Sequence, residues 1–237
     1  MTTSALIFAA GLGTRLRPLT DSRPKALVCY EGKPLLEHVL DRIIAAGITE
    51  VVVNVHHFPD QIIDFLKTHP KAARVRVSDE RAYLRDTAGG LKFAGPLLGE
   101  AGHVLLHNVD ILSTIDLGAL VARHIASGAD ATLAVRNRSS SRRLLFDPAD
   151  LSLCGWEDAR AGRLILPRAV ERPLPLAFSG IHVVSRKVMN RIPSVERLPI
   201  IPFYVQNASG MNIRGYVHDE DEWMDVGKFD EFHNILT

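Results

Sequence analysis

The sequence predicts one α/β domain with a mixed, mostly parallel sheet, and three observations support this fold class. Short apolar runs that are typical of buried strands, at residues 6–8, 50–55 and 103–108, alternate with segments of helical spacing at 34–46 and 59–66. Such alternation indicates right-handed βαβ units in a doubly wound sheet. The length of 237 residues suits a single domain over residues 1–237 better than two domains.

The charge balance argues against nucleic acid or a membrane surface as the main partner. Lysine and arginine number 28 and aspartate and glutamate 27, so no strongly basic or acidic surface is expected. Cys29 and Cys154 suggest neither a disulfide framework nor a zinc site. The N-terminus lacks a basic leader, its apolar run breaks at Gly11, and no later stretch could span a bilayer. We therefore expect a cytoplasmic protein, whose oligomeric state the sequence leaves open.

The first predicted strand opens into a loop rich in small residues and cations. It reads Ala9-Ala10-Gly11-Leu12-Gly13-Thr14, and Arg15, Arg17 and Lys25 follow. Small residues let the backbone turn tightly and approach a ligand, and two prolines keep the segment out of regular structure. Free N–H groups beside cationic side chains are the donors that phosphate groups require. The loop therefore predicts a phosphate site, in preference to an ordinary turn with surface arginines.

Two other glycine-loop chemistries fail on the same residues. A dinucleotide fingerprint requires a small residue at the third glycine position, which Leu16 occupies after Gly11 and Gly13. A Walker-type loop requires Gly-Lys-Ser/Thr, whereas neither Gly-Lys pair in the chain is followed by a hydroxyl residue. A long irregular phosphate loop remains.

Two later segments carry candidate binding residues. Thr87 is the predicted N-cap of a helix whose first turn holds Gly89 and Gly90. A glycine pair weakens a helix, so it marks either a close approach or a loose helix start. Asp110 follows the strand 103–108 almost directly. A carboxylate at the end of a central strand is placed to hold a cation over phosphates, although turn residues are also often aspartates.

The remaining segments complete the predicted fold. Helices are predicted over 116–127, 199–208 and 228–235, strands over 73–77, 130–136 and 212–218, and short antiparallel strands over 144–166. The run 138–143, with three arginines, predicts a solvated hairpin connection, with a mobile lid as the alternative. His56, His57 and Asp60 are better interpreted as loop residues than as metal ligands, because adjacent side chains on an extended segment point to opposite sides.

Three stretches resemble a known family. AAGLGTRLRPLTDSRPKAL closely resembles the signature loop of sugar-1-phosphate nucleotidylyltransferases, which join a nucleoside triphosphate to a sugar phosphate and release pyrophosphate. NVHHFPDQI and VSDERAYLRDTAGGL resemble most the short single-domain N-acetylmuramate-1-phosphate uridylyltransferases. The resemblance covers most of the chain and implies a Rossmann-like, GT-A-like nucleotidyltransferase domain.

The resemblance also implies roles for individual residues. The implied catalytic residues are Arg15 and Lys25; the nucleotide-binding residues are Ala10, Gly11, Gly13, Thr14, Thr87, Gly89, Gly90 and Asn108; the sugar-binding residues are Glu171, Arg172 and Gly180. Asp110 and Asp225 would hold Mg²⁺, for which Mn²⁺ could substitute. The implied partners are a nucleoside triphosphate and a sugar 1-phosphate, and no protein nucleophile is needed.

The sequence departs from the family's pattern at three positions. Asp86 stands where many relatives have glutamate, and Val109 where they often have glycine. Arg172 replaces the usual lysine, so a planar fork replaces a point donor.

UTP and an N-acetylmuramate-type sugar are the leading expectation for the substrates. A guanylyl- or cytidylyltransferase acting on mannose or heptose phosphate is the alternative within the class. A catalytically silent regulatory homologue is the alternative outside it. Such a homologue would be expected to lose the set Arg15, Lys25, Asp110 and Asp225, and all four residues are present.

Overall fold

The computed structural model describes residues 2–71 and 74–227. Its strands are β1 (Thr3–Phe8), β2 (Cys29–Tyr30), β3 (Lys33–Pro34), β4 (Val51–Val55), β5 (Val75–Asp79), β6 (His103–Asn108), β7 (Ile111–Ser113), β8 (Ala131–Arg136), β9 (Arg142–Phe146), β10 (Leu153–Asp158), β11 (Arg163–Ile165), β12 (Leu174–Ser185), β13 (Ile213–Val217) and β14 (Trp223–Asp225). Its helices are α1 (Leu35–Ala45), α2 (Pro59–Thr68), α3 (Asp86–Ala94), α4 (Leu117–Ser127), α5 (Arg186–Arg191) and α6 (Ile200–Gln206). In this described part of the chain, no helix has the length and apolarity to cross a membrane.

The main sheet is mixed, with a parallel core. Its order is β11-β10-β9-β12-β6-β1-β4-β5, with β8 paired to β12 and β13 to β8. β5, β4, β1 and β6 are parallel neighbours, whereas β12 runs antiparallel to β6, β8 and β9. Two short ribbons, β2–β3 and β7–β14, lie outside it. The predicted α/β fold with a mixed sheet is confirmed.

Helices cover both faces of the parallel core. Apolar residues of α1, α2 and α4 pack on the face that receives Ile7, and those of α3, α5 and α6 pack on the face that receives Leu6. Successive side chains of a strand point to opposite faces, so a strand covered on both sides needs a continuous apolar run. The run at the start of the chain therefore predicted the doubly covered position of β1.

Most predicted elements lie within about two residues of their observed bounds, as is usual for helix and strand ends. The segment 138–143 differs, because β8 and β9 each pair with β12 and not with each other, so it is no hairpin. The helix predicted over 228–235 lies outside the described residues, as does residue 73 of the strand predicted over 73–77. The short helix α5 and the ribbons β2–β3 and β7–β14 were not predicted from the sequence.

Four histidines are buried within the fold, and burial lowers the pKa of three of them to about 4 or about 3. The pKa of His107 is lowered to about 4 by burial, and that of His182 to about 3 for the same reason. His124 of α4 also has its pKa lowered to about 4 by burial, and its Nδ1 lies 2.9 Å from Thr132 Oγ1. All three side chains are therefore neutral in the folded protein at neutral pH.

Candidate active site

The loop after β1 is held to the neighbouring strand by one asparagine. Asn54 is the fourth of the five buried residues of β4, and its Oδ1 accepts the N–H groups of Ala9 at 2.8 Å and Ala10 at 3.3 Å. Further along, Gly13 has φ +66°, and a Cβ there would come within 2.9 Å of Thr20 Cγ2. Gly13 is thus required by both conformation and packing, and it shapes the loop.

Lys25 and two aspartates meet at the carboxyl edge of the sheet. Lys25 Nζ donates to Asp110 Oδ2, and both side chains are largely buried. A Cβ built on Gly227 would lie 2.8 Å from Asp110 Oδ2 and 2.8 Å from Asp225 Oδ1, and would collide with Lys25 Nζ. Residues separated by up to 200 positions in the chain therefore surround one small space, with two negative charges and one positive charge.

Backbone pairing brings Asp225 to Asp110. β14 pairs antiparallel with β7, which follows Asp110, and Asp225 lies opposite Ile111. The N–H of Val226 donates to the carbonyl oxygen of Asp110 at 2.9 Å. Gly227 N–H also donates to Asp225 Oδ1 at 2.9 Å, which fixes that carboxylate. The β7–β14 ribbon thus sets the spacing of the two aspartates.

A cavity of about 260 Å³ opens beside this cluster. The predicted site residues that line it are Ala10, Gly11, Lys25, Thr87, Asn108 and Asp110. A Cβ built on Gly11 would meet no atom within 4 Å, so this position borders open space. Val109 also lines the cavity and is itself buried. The glycine loop, the strand-end aspartate and the second glycine segment are therefore brought to one place.

The glycine pair of α3 packs against the protein's own groups, and its predicted contact with the nucleotide stays a prediction. The helix begins at Asp86, so Thr87 is not its N-cap, and the Thr87 hydroxyl instead accepts the N–H of Ile200 at 2.8 Å. A Cβ on Gly90 would lie 2.9 Å from Glu80 Oε1, and the N–H of Gly89 donates to the carbonyl oxygen of Leu198. Neither glycine lines the cavity, because the close approach that they permit is to the protein's own groups.

Glu80 is a site residue that sequence reasoning missed. It is buried and lines the cavity just after β5. Asn54 Nδ2 donates to its Oε1 at 2.9 Å, and the N–H of Arg85 donates to its Oε2 at 3.2 Å. Burial raises the pKa of Glu80, and these hydrogen bonds oppose the rise. The available signal was a polar residue near the carboxyl end of two neighbouring strands, Asn54 in β4 and Glu80 directly after β5, at the same sheet edge as Asp110.

A second missed residue, Arg197, closes one side of the cavity. Its Nε lies 3.4 Å from Asp86 Oδ2, and both side chains line the cavity. Asp86 has φ +62°, a conformation that aspartate tolerates better than most residues, and its Oδ1 accepts the N–H of Thr87. The segment before α6 is thereby joined to the start of α3.

Gly180 brings β12 against the site. The register of β12 against β8 shifts between Phe178 and His182, and Gly180 within this bulge has φ +78°. A Cβ there would lie 2.7 Å from Ile111 Cγ1 and 3.0 Å from Asn108 Nδ2. Only glycine fits this position without displacement, so the bulge holds β12 directly beside Asn108.

Other predicted site residues lie apart from the cavity. Glu171 and Arg172 occupy an exposed bend between β11 and β12 and do not line it. Thr14 and Arg15 belong to an exposed 3₁₀ turn, and Arg15 lines a separate depression of about 630 Å³. Their predicted contacts with substrate remain predictions.

Residues 4–144 match the family model described as nucleotidyl transferase. The chain belongs to this family. An N-acetylmuramate alpha-1-phosphate uridylyltransferase of Caulobacter vibrioides is 33% identical over 94% of this chain and 91% of its own length. A mannose-1-phosphate guanylyltransferase of Mycobacterium tuberculosis is 32% identical over 96% of this chain, but the chain spans only 62% of that protein.

Two solved structures share this fold. HddC of Yersinia pseudotuberculosis, complexed with GMP-PN, has a TM-score of 0.78 and 20% identity, covering 99% of this chain and 98% of its own. A UDP-glucose pyrophosphorylase of Acinetobacter baumanii has a TM-score of 0.77 and 18% identity, covering 100% and 92%. The predicted family and the prediction of an enzyme that transfers nucleotidyl groups are thus confirmed.

Proposed function

We propose that this nucleotidyl transferase moves a uridylyl group from UTP to an N-acetylmuramate-type sugar 1-phosphate and releases pyrophosphate. The observation that carries the proposal is the convergence of Lys25, Asp110 and Asp225 around Gly227, beside a cavity walled by the glycine loop. Transfer at phosphorus depends mainly on the orientation of reactants and the neutralisation of charge, and this cluster holds groups of both signs in one place.

The reaction needs no protein nucleophile. An ionised oxygen of the sugar phosphate attacks the α-phosphorus, the bond from that phosphorus to the bridging oxygen breaks, and pyrophosphate leaves with the bridging oxygen. Lys25 would balance charge that develops on the α-phosphate and the leaving group. Arg15 would contact the departing pyrophosphate, and the N–H groups between Gly11 and Gly13 would bind the β- and γ-phosphates.

Asp110 and Asp225 fit a divalent cation that takes few protein ligands. Their oxygens flank the space beside Gly227, although within residues 2–71 and 74–227 no group of three or more metal-binding side chains occurs. Mg²⁺ is commonly held by one or two carboxylates, with waters and phosphate oxygens as its other ligands, so two aspartates suffice. Bound there, Mg²⁺ would neutralise phosphate charge. Lys25 would release Asp110 for this role when the nucleotide arrives.

The sugar would lie beside Asn108, on the side of the cavity toward β12. The absence of a side chain at Gly180 leaves room for Ile111 and Asn108, and the Gly180 backbone would contact the sugar beside Asn108. Glu171 and Arg172 lie in the bend just before β12, where they would bind sugar hydroxyls and the sugar phosphate.

The choice of UTP rests on the better match to the uridylyltransferase. That relative matches over 91% of its length, whereas the guanyltransferase of Schizosaccharomyces pombe matches at 30% identity over 61%. A guanylyltransferase acting on mannose 1-phosphate is the second candidate, because the guanyltransferases match this chain at similar identity.

A pyrophosphate-release panel tests the proposal. UTP, GTP, CTP, dTTP and ATP are crossed with the 1-phosphates of N-acetylmuramate, N-acetylglucosamine, mannose and glucose. A pocket that pairs with one base edge leaves buried polar groups unpaired with another, so we expect UTP to exceed GTP and CTP in kcat/KM by at least about tenfold. A preference for GTP with mannose 1-phosphate would replace the proposal with the second candidate.

A further inference from the structure

A second depression, separate from the cavity, is lined by arginines. We call it the basic pocket; it measures about 630 Å³, and its charged lining residues are Arg15, Arg138, Arg142, Arg160 and Asp158. Three consecutive serines, at positions 139–141, complete its wall. The lining thus carries four cationic side chains and one carboxylate, together with hydroxyl groups that can donate hydrogen bonds.

The single carboxylate of the basic pocket is already engaged. Asp158 Oδ2 accepts from Arg142 Nε at 3.2 Å, and its Oδ1 accepts the N–H groups of Arg160 at 3.1 Å and Ala161 at 3.0 Å. Among the residues that the structure describes, no ion pair involves the guanidinium of Arg15 or Arg160. The pocket therefore holds an excess of positive charge, and the ligand that it suits is an anion.

A short series of contacts connects the basic pocket to the cavity wall. Arg138 Nη2 donates to the carbonyl oxygen of Phe178 at 3.2 Å, and its guanidinium lies 4.5 Å from the centre of the Trp223 ring. Trp223 Nε1 in turn donates to the carbonyl oxygen of Ser179 at 2.9 Å. The next residue is Gly180, which touches Asn108 of the cavity wall. Residues 178–180 thus connect Arg138 of the basic pocket to Asn108 of the cavity wall.

We infer that the part of the basic pocket formed by Arg138, Arg142 and Arg160 binds a carboxylate of the acceptor sugar, so that the enzyme selects sugar 1-phosphates carrying a second acidic group, while Arg15 stays with the pyrophosphate. The inference rests on the proposed function. N-acetylmuramate differs from N-acetylglucosamine by a lactyl ether that ends in a carboxylate, whereas the phosphate end of either sugar would enter the cavity. Guanidinium groups match a carboxylate with two parallel hydrogen bonds, which gives direction as well as charge.

Arg160 is the best residue on which to test this inference. It is exposed and forms no described ion pair, so Arg160→Gln removes a charge from the pocket without leaving a partner unpaired. Arg163→Gln is the matched control, because Arg163 is an exposed arginine on the same β10–β11 hairpin that does not line the pocket. Both variants should have the same circular dichroism spectrum and the same melting temperature as the parent protein.

The assay measures KM for each substrate with the parent and both variants. The acceptors are N-acetylmuramate 1-phosphate, its lactyl methyl ester and N-acetylglucosamine 1-phosphate. We expect Arg160→Gln to raise KM for the acid about tenfold, and to leave KM for the ester, N-acetylglucosamine 1-phosphate and UTP within about twofold. Arg163→Gln should change none of them.

The outcomes separate this inference from the proposed function. A parent enzyme that uses only acceptors without a carboxylate would overturn the proposed acceptor and the inference with it. A parent enzyme that prefers the acid, with Arg160→Gln affecting acid and ester equally or neither, would overturn the inference alone. A rise in KM for UTP, or for pyrophosphate in the reverse reaction, would show instead that the basic pocket serves the triphosphate.

Discussion

Replacing Gly227 by alanine tests whether Lys25, Asp110 and Asp225 act as a unit. A Cβ at this position would lie 2.8 Å from an oxygen of each aspartate, so each oxygen must retreat by about half an ångström to reach the 3.4 Å at which ordinary contact begins. Lys25 Nζ must move further. Displacement of catalytic groups by about 1 Å lowers rates by about a hundredfold, so we expect kcat/KM to fall by roughly tenfold to a hundredfold, or about 1.4–2.7 kcal/mol.

The same substitution should leave the fold nearly unchanged. Gly227 does not have a positive φ, so alanine introduces no backbone strain, and the displaced side chains can turn toward the open cavity. We expect the free energy of unfolding to change by less than about 1 kcal/mol. Gly210→Ala is the matched control, because a Cβ there meets no atom within 4 Å and φ is not positive.

The measurements are kcat/KM at saturating Mg²⁺, the Mg²⁺ concentration that gives half-maximal rate, and urea unfolding. Gly227→Ala should raise that concentration as well as lower the rate, whereas Gly210→Ala should alter neither. An alanine variant at 227 with the parent's rate and the parent's Mg²⁺ dependence would refute the proposed cluster.

Three further predictions follow from the site and the core. Lys25→Ala should lower kcat by at least about a hundredfold with a retained melting temperature, because a charge on the reacting phosphates is lost; a near-normal kcat in steady-state assays would contradict its role. Activity should vanish in chelator and return with Mg²⁺ or Mn²⁺, and Asp110→Asn should need more metal; full activity without a divalent ion would contradict the metal site. The free energy of unfolding should fall as the pH drops below about 6.5, because His107, His124 and His182 have lowered folded pKa values and the unfolded chain binds protons first. At pH 5 each of the three histidines should lower the free energy of unfolding, measured with urea, by about 2 kcal/mol relative to neutral pH. His182→Leu should remove one such loss, and equal stability at pH 7.5 and pH 5 would contradict this.

The topology explains which site residues could be predicted. Parallel strands of a doubly wound sheet end at one edge, so the glycine loop after β1 and Asp110 after β6 could be assigned to one site from their positions in the chain. Asp225 is different, because its position beside Asp110 depends on the β7–β14 ribbon, which has only three residues per strand. Its role came from the family resemblance.

The role of the α3 glycines could not be derived from local sequence. A glycine pair in a helix indicates close approach, but sequence does not say to what. Gly90 faces a buried carboxylate from the end of β5, and Gly89 faces the segment before α6, more than 100 residues away. Both contacts are set by tertiary packing. Glu80 and Asn54 could not be assigned to the site for the same reason, since a polar residue at or near the end of a strand does not by itself indicate what it contacts.

The length of β12 has a consequence for how acceptor preference can change. Residues 174–176 pair with β9, which together with β10 and β11 forms the antiparallel end of the sheet. Residues 181–185 pair with β6 of the parallel core, and the Gly180 bulge lies between the two stretches. One strand therefore joins the antiparallel strands β9–β11 to the parallel core. Exchanging strands β9–β11 between homologues should transfer a preference for one sugar and leave the predicted nucleotide-binding residues unchanged. The Gly180 bulge is the position at which such chimaeric sequences should be joined.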